Sequence, residues 1–439
     1  MNPQRAATFT DSTIRTNSHR KETTYMCKDQ LPIAPQYIKD FEQLGLGMFV
    51  HFGLYSQLRQ GEWTMHTHQI KKEDYMPLKE NFNPVHMSEI VSVGKAAGCK
   101  YICLTTRHHE GFSLYDTCGL NDYDAIHSPA KRDVVREFVE ECRKADIVPF
   151  FYHTTLDWYR EDFKTDFNGY LEYLRKSVEL LCTNYGEIGG LWFDGNWSKP
   201  DADWQEDALY SMIRRLQPNA MIINNTGIHL RGAKGNEYID SLTYERGTPT
   251  PIDRRGMTKY VAGEMCETLN DNWGDADDIN FKPVKQLIEE ICDCRKIGAN
   301  MLLNIGPSAN GTVPNMSRAT MECVGYWMNI YGKAIYNGRP YIAEVGKRDF
   351  MLRDIKDEKT FYVFKYDLGM GGDTNVALDG GNATVVEFAG FEGEVESVKW
   401  MDNSQSLDFA VENGTLRIAC PNFRYGQSHC VRVAEIKVK

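Results

Sequence analysis

One carboxylate stands out by its position in the chain. Leu191, Trp192 and Phe193 form an apolar run that stops at Asp194 and Gly195. A strand-like segment, Ile188 to Phe193, that delivers one Asp at its carboxyl end is how parallel α/β barrels present catalytic groups, because their active sites sit where the strands finish. Asp194 is therefore the leading candidate for a nucleophile. Two other clusters follow apolar runs in the same way. His51 comes after Met48, Phe49 and Val50, with Glu62 and Trp63 soon behind it. Arg107, His108, His109 and Glu110 follow Leu104 to Thr106, and Trp192 shares a strand face with Asp194. Taken singly, each has a plain structural reading, since a lone strand-end His is more often a satisfied core residue. Gathered at one barrel mouth, they describe a sugar site, with aromatic faces for C–H surfaces and His, Glu and Trp N–H groups for hydroxyls.

A carboxylate nucleophile at a glycosidic carbon needs a second carboxyl group to protonate the departing oxygen, roughly 5 to 5.5 Å away in retaining glycosidases and with a raised pKa. Glu237, Glu245, Glu264 and Glu267 all follow Asp194 in loops or strand ends, and spacing alone leaves the choice open. Glu245 lies in Leu242 to Gly247 just before a Pro-rich loop, and Glu264 follows an expected strand, Tyr260 to Ala262. Other chemistries fare worse. Adjacent His108 and His109 on an extended strand would point to opposite faces, and no His-Glu-x-x-His occurs, so zinc is disfavoured. No Gly-x-Ser-x-Gly is present for a serine nucleophile. Cys292 and Cys294, two apart on a helix-like segment, face different ways and suit neither a metal nor a redox pair.

The elements that must position these groups read as a βα-repeat. Between about residues 45 and 305, the runs Gly47 to Phe52, Tyr101 to Thr105, Ile147 to Tyr152, Gly189 to Phe193 and Ala220 to Asn224 alternate with helix-like segments. In one of these, Val134 to Ala145, Val135, Phe138, Val139 and Cys142 fall on one face. Such alternation predicts a parallel sheet, and a (β/α)8-like barrel is preferred because no Gly-x-Gly-x-x-Gly opens a helix. After Tyr336 the pattern changes to short alternating runs separated by Gly, Asp and Asn, which predicts a β-sandwich. The expected organisation is a polar arm over residues 1–30, a catalytic barrel over 31–340 and a sandwich over 341–439.

Composition agrees with a globular enzyme. The chain has 439 residues, 42% hydrophobic and 25% charged, enough for a sizeable core. Its 50 basic and 61 acidic residues give a net charge of -11, which argues against a nucleic-acid partner. No apolar run approaches the roughly 18 residues of a membrane span, and Met1 to Gln30 lacks a signal-peptide core, so no membrane association and a cytoplasmic location are expected. The 12 cysteines are scattered through apolar segments and read as reduced core thiols.

Five ordered motifs resemble one known family. Gly47-Met48-Phe49-Val50-His51-Phe52-Gly53 with Glu62-Trp63 is similar to its Gly-x-Phe-x-His-Trp-Gly and Glu-Trp elements. Lys100 to Thr105 with Arg107-His108-His109-Glu110-Gly111-Phe112 resembles its Lys-His-His-Asp-Gly-Phe. Leu156-Asp157-Trp158, Leu191 to Gly195 and Asn300 to Pro314 also match. Together they resemble the α-L-fucosidases of glycoside hydrolase family 29, over roughly residues 35 to 340. The resemblance implies a retaining exo-hydrolase of fucosylated glycans with Asp194 as nucleophile and no metal or organic cofactor. It implies that His51, His108, His109 and Trp192 contact the sugar and that Glu62, Trp63 and Tyr152 line the same pocket. It favours Glu245, in a Thr-x-Glu position before a proline, as acid/base, with Glu264 second. Phe52, Glu110, Gly263, Asp275 and Thr226 depart from the pattern, which leaves the aglycone open. Two other readings stand beside this one: a related exo-glycosidase acting on an L-galactoside or similar sugar, and a fucose-binding protein without turnover. Homo-oligomerisation is left open.

Overall fold

The computed structural model describes residues 31–343, 347–373, 375–377 and 384–439, so the expected arm over 1–30 lies outside the described residues. Eight parallel strands close into a barrel in chain order. They are β1 (Leu46–Val50), β2 (Tyr101–Arg107), β3 (Val148–Thr154), β4 (Gly190–Asp194), β5 (Met221–Asn224), β6 (Ser241–Glu245), β7 (Ala262–Thr268) and β8 (Asn300–Ile305). Closure is explicit in β1, which pairs with β2 on one side and β8 on the other. Strands covered on both faces carry near-continuous apolar runs, which is why β1, β4 and β5 were legible as such.

The surrounding helices bury one stripe each. Val134–Lys144 buries Val135, Phe138, Val139 and Cys142, the face expected from its period. Asp133 caps it by accepting from Arg136 N at 2.9 Å, and Arg143 and Lys144 close its last turn against the helix dipole. The helix Gln36–Leu44 plugs the amino-terminal end of the barrel, where Ile38 and Phe41 pack with Tyr101, Phe150 and Met221. The opposite, carboxyl end is left for the site.

The helix Asn315–Asn337 runs directly into β9 (Gly338–Ala343), the first strand of the carboxy-terminal module. There β10 (Phe350–Asp354), β11 (Thr360–Lys365), β12 (Thr384–Ala389), β13 (Val395–Trp400), β14 (Phe409–Glu412), β15 (Thr415–Cys420) and β16 (Arg432–Val438) form two antiparallel sheets, ordered β13-β16-β11-β10-β9 and β12-β15-β14. Alternation along β11 divides its labour. Phe361 and Val363 face the smaller sheet with Val386, Phe388, Leu416 and Ile418, whereas Tyr362 and Phe364 join the core shared with the barrel. Trp327 of the long helix ties the module down by donating from Nε1 to the Val431 carbonyl at 2.8 Å.

The cysteines among the described residues are free thiols, most of them buried. No described helix is long and apolar enough to cross a membrane.

Candidate active site

Asp194 ends β4, and Gly195 turns the chain away at φ 121°, where a Cβ would sit 2.5 Å from Leu156 N. Only glycine allows that close approach. Three donors then converge on the Asp194 carboxyl group. Tyr152 of neighbouring β3, in register with Trp192 two residues before Asp194, donates its hydroxyl to Oδ2 at 3.1 Å. Trp197 Nε1 and Asn225 Nδ2 donate to Oδ1 at 2.8 and 3.1 Å. Asn225 directly follows β5, whose Asn224 is in register with Phe193, so Asn225 stands level with Asp194.

Asn225 also reaches the second acid. The same Nδ2 donates to Glu245 Oε2 at 2.8 Å, giving one N–H bond to each carboxyl group. Its orientation is fixed from the other side, because Gly227 N donates to Asn225 Oδ1 at 3.1 Å. The Asp194 and Glu245 oxygens are therefore separated by no more than the sum of the two Asn225 bonds, less than the roughly 6.5 to 9.5 Å that accommodates a water between inverting carboxyl groups. Burial, followed by the neighbouring Asp194 charge, pushes Glu245 up to about 7, the range in which an acid can hold and give a proton near neutrality. Because Oε2 accepts from Asn225, the proton falls to Oε1.

Glu264 resides elsewhere. It is the third residue of β7 and not a strand-end residue, because that strand begins at Ala262 and runs past it. Its side chain points into the barrel interior, where Tyr101 donates its hydroxyl to Oε2 at 2.5 Å and Trp192 Nε1 donates to Oε1 at 2.9 Å. Both oxygens are committed inside the barrel, so the second choice for acid/base is corrected. Trp192 is corrected in part: it lines the pocket with its ring, stacked on Tyr152 at 5.8 Å, but its N–H serves Glu264 and not a ligand hydroxyl. Glu237 is tied at the surface to Lys234 and Thr258, and Glu267 to Lys282 and Thr268.

The histidines supply acceptors. Asn304 Nδ2 donates to the Trp273 carbonyl at 2.6 Å, so its Oδ1 must accept from His51 Nδ1 at 2.7 Å, leaving His51 Nε2 bare. Thr154 gives its hydroxyl proton to the Leu156 carbonyl and so accepts from His109 Nδ1 at 2.7 Å. His109 Nε2 then faces Asp194 Oδ2 at 3.5 Å with no proton of its own between them. Burial holds both rings, and His108, well below the usual histidine range, so all three are neutral. The strand-face argument against His108 and His109 acting together is corrected: β2 ends at Arg107, the next residues turn, and the two rings lie 4.2 Å apart. Arg107 points away, bound to Ser113, Tyr115 and Ser177.

Glu62 is buried and raised by that burial, and its Oε2 accepts from Trp273 N and Gly274 N at 3.1 and 2.8 Å. Trp63 stacks on Trp197 at 5.9 Å and meets His109 edge-on. The resulting pocket, of about 590 Å³, is lined by His51, Glu62, Trp63, His108, Tyr152, Trp192, Asp194 and Glu245 among others, and its aromatic walls and few converging polar groups suit a small polar ring. Among the described residues, no group of three or more His, Cys, Asp or Glu side chains is placed to hold a metal ion.

Two residues bound to the acids escaped sequence reasoning, Asn225 and Trp197. For Asn225 the signal was its place one residue beyond β5, level with the acid one strand away. A tryptophan three residues beyond a strand-end Asp carries no comparable pattern.

A (β/α)8 barrel that holds two acids on one amide in an aromatic-walled pocket has the layout of a glycoside hydrolase. The model of the alpha-L-fucosidase family matches residues 12–333, and the chain belongs to that family. Tissue alpha-L-fucosidase of Rattus norvegicus is 25% identical over 386 residues, 81% of this chain and 82% of its own. Alpha-L-fucosidase isoenzyme 1 from Paenibacillus thiaminolyticus shares the fold with a TM-score of 0.77 and 28% identity, over 92% of this chain and 99% of its own. So does an alpha-L-fucosidase from Bacteroides thetaiotaomicron, solved as a covalent intermediate trapped with 2-fluoro-fucosyl fluoride, at a TM-score of 0.76 and 23% identity, over 95% of this chain and 99% of its own.

Proposed function

We propose that this chain hydrolyses terminal α-L-fucosides with retention of configuration. Asp194 attacks the anomeric carbon while Glu245 Oε1 gives its proton to the departing glycosidic oxygen, and a covalent glycosyl-enzyme forms. Glu245, now a carboxylate, takes a proton from water as that water attacks the same carbon and releases Asp194. The observation that carries this reading is the Asn225 amide bound to both acids at 3.1 and 2.8 Å, which brings one oxygen of each close together and supports a double displacement. His51 Nε2 and His109 Nε2 accept hydrogen bonds from sugar hydroxyls. The trapped intermediate of the Bacteroides thetaiotaomicron relative is the same kind of species. Proton NMR of the first product tests the stereochemistry: α-L-fucose appears before mutarotation if the reading holds, and β-L-fucose would refute it.

A further inference from the structure

Beyond Asn225 the chain makes a short helical turn, Ile228–Leu230, whose Ile228 and Leu230 are 47% and 61% exposed, yet both line the same pocket as Asp194 and Glu245. Pro200 and the half-open ring of Trp197, 36% exposed, line it beside them. Large apolar side chains held at a pocket rim give up little to water unless a ligand covers them. This turn is also held firmly. Thr226 Oγ1 donates to the Leu230 carbonyl at 2.6 Å, and Gly232 N donates to the Thr243 carbonyl at 2.8 Å. Arg231 Nε donates to the carbonyl of Glu245 itself, and Arg231 Nη2 to that of Arg246 at 3.2 Å.

The anchor on Glu245 decides what covers the turn. On the proposed mechanism Glu245 touches the glycosidic oxygen, so the leaving group must lie on its side of the pocket, where this apolar rim stands. Trp197 closes the wall, packed between the Trp63 ring and Gly227, where a Cβ would lie 3.5 Å from Trp197 Cδ1. We infer that Trp197, Pro200, Ile228 and Leu230 form a shelf for the leaving group, and that the shelf selects leaving groups with a flat apolar face: a pyranose laid down on its C–H side. This inference rests on the proposed fucosidase reaction and names the class of aglycone that the reaction prefers.

The test compares methyl and cyclohexyl α-L-fucoside, whose leaving alcohols are similarly acidic and differ chiefly in the apolar ring. A β-D-glucopyranoside-linked fucosyl disaccharide forms a third arm, separating a sugar ring from a hydrocarbon. Expected for the wild-type chain is a kcat/KM about tenfold or more higher for cyclohexyl and disaccharide substrates than for the methyl glycoside, the range that apolar pocket contacts supply. The double variant Ile228→Ser/Leu230→Ser, changed at two exposed positions, should reduce both preferences to about twofold. A wild-type chain with no preference, or a preference that survives in the double variant, overturns the shelf. A preference for cyclohexyl alone overturns the assignment to a pyranose. Hydrolysis of none of the three by the wild-type chain overturns the fucosidase reading and the shelf with it.

Discussion

Glu245 and Glu264 sit on adjacent strands, and burial pushes both up to about 7. Their surroundings assign them opposite work. Glu264 is enclosed inside the barrel with a donor on each oxygen, so it can neither reach a substrate nor exchange a proton without breaking a buried bond. Glu245, at the mouth, spends one oxygen on Asn225 and keeps the other for the pocket. A raised acid is thus a sign of low dielectric, and chemistry follows only where a raised acid also has access and a nucleophile beside it.

Breaking the mouth should have the largest effect. Asp194→Gly is expected to lower kcat/KM on an aryl α-L-fucoside by about four orders of magnitude or more, as loss of a covalent nucleophile does, measured with the folded variant by circular dichroism control. Glu245→Ala should cost about a hundred- to ten-thousandfold on a poor leaving group and far less on an activated one, and azide should restore turnover as a glycosyl azide. The equivalent change at Glu264 gains nothing from azide.

The pH profile sharpens the same contrast. On the proposed mechanism Glu245 is protonated for the first step, so kcat/KM on alkyl fucosides should fall as pH rises above about 7, and this basic limb should vanish for fucosyl fluoride, whose leaving group needs no proton. Glu264 should instead be felt in stability. Its folded value of about 7 lies above the ordinary 4.5, so between those values the folded chain binds more protons than the unfolded one. Its contribution is full below about 4.5 and is lost as pH rises through about 7. Thermal melts of wild type and Glu264→Gln, a neutral stand-in for the protonated acid, should lie close at the acid end of that window and separate toward its basic end, as the wild-type chain alone loses stability.

Smaller effects should follow at the edges. Trp197→Phe keeps the ring against Trp63 but removes the N–H on Asp194, and a fall of about tenfold in kcat with little change in KM is expected. Glu264→Ala leaves the Tyr101 hydroxyl and Trp192 N–H without their acceptor, at about 1–3 kcal/mol each in urea unfolding, while the folded variant keeps kcat/KM within about tenfold.

The barrel was legible because its strands are buried on both faces and announce themselves as apolar runs, and observed boundaries such as Gly190–Asp194 lie within two residues of those expected. Asp194 was legible for the same reason, as a charge that interrupts such a run. Glu264 was misplaced because β7 carries Gly263 and Glu264 near its start, so a polar residue inside a strand looked like the strand's end. The environment that makes it structural is supplied by Tyr101 and Trp192, remote in sequence, and no local pattern contains that information. His108 and His109 were separated by a rule for extended backbone that ceases to apply where β2 ends. Asn225 is an ordinary residue until the register of β4 against β5 sets it level with Asp194.

The proposed reaction depends on a covalent bond from Asp194 to the sugar, with Glu245 as its partner. Incubation with 2-fluoro-fucosyl fluoride followed by proteolysis and peptide mass spectrometry tests it most directly. One fluorofucosyl adduct per chain is expected, on Asp194, formed at a similar rate in Glu264→Gln. A chain that turns over fucosides but carries its label on another residue, or carries none, would contradict it.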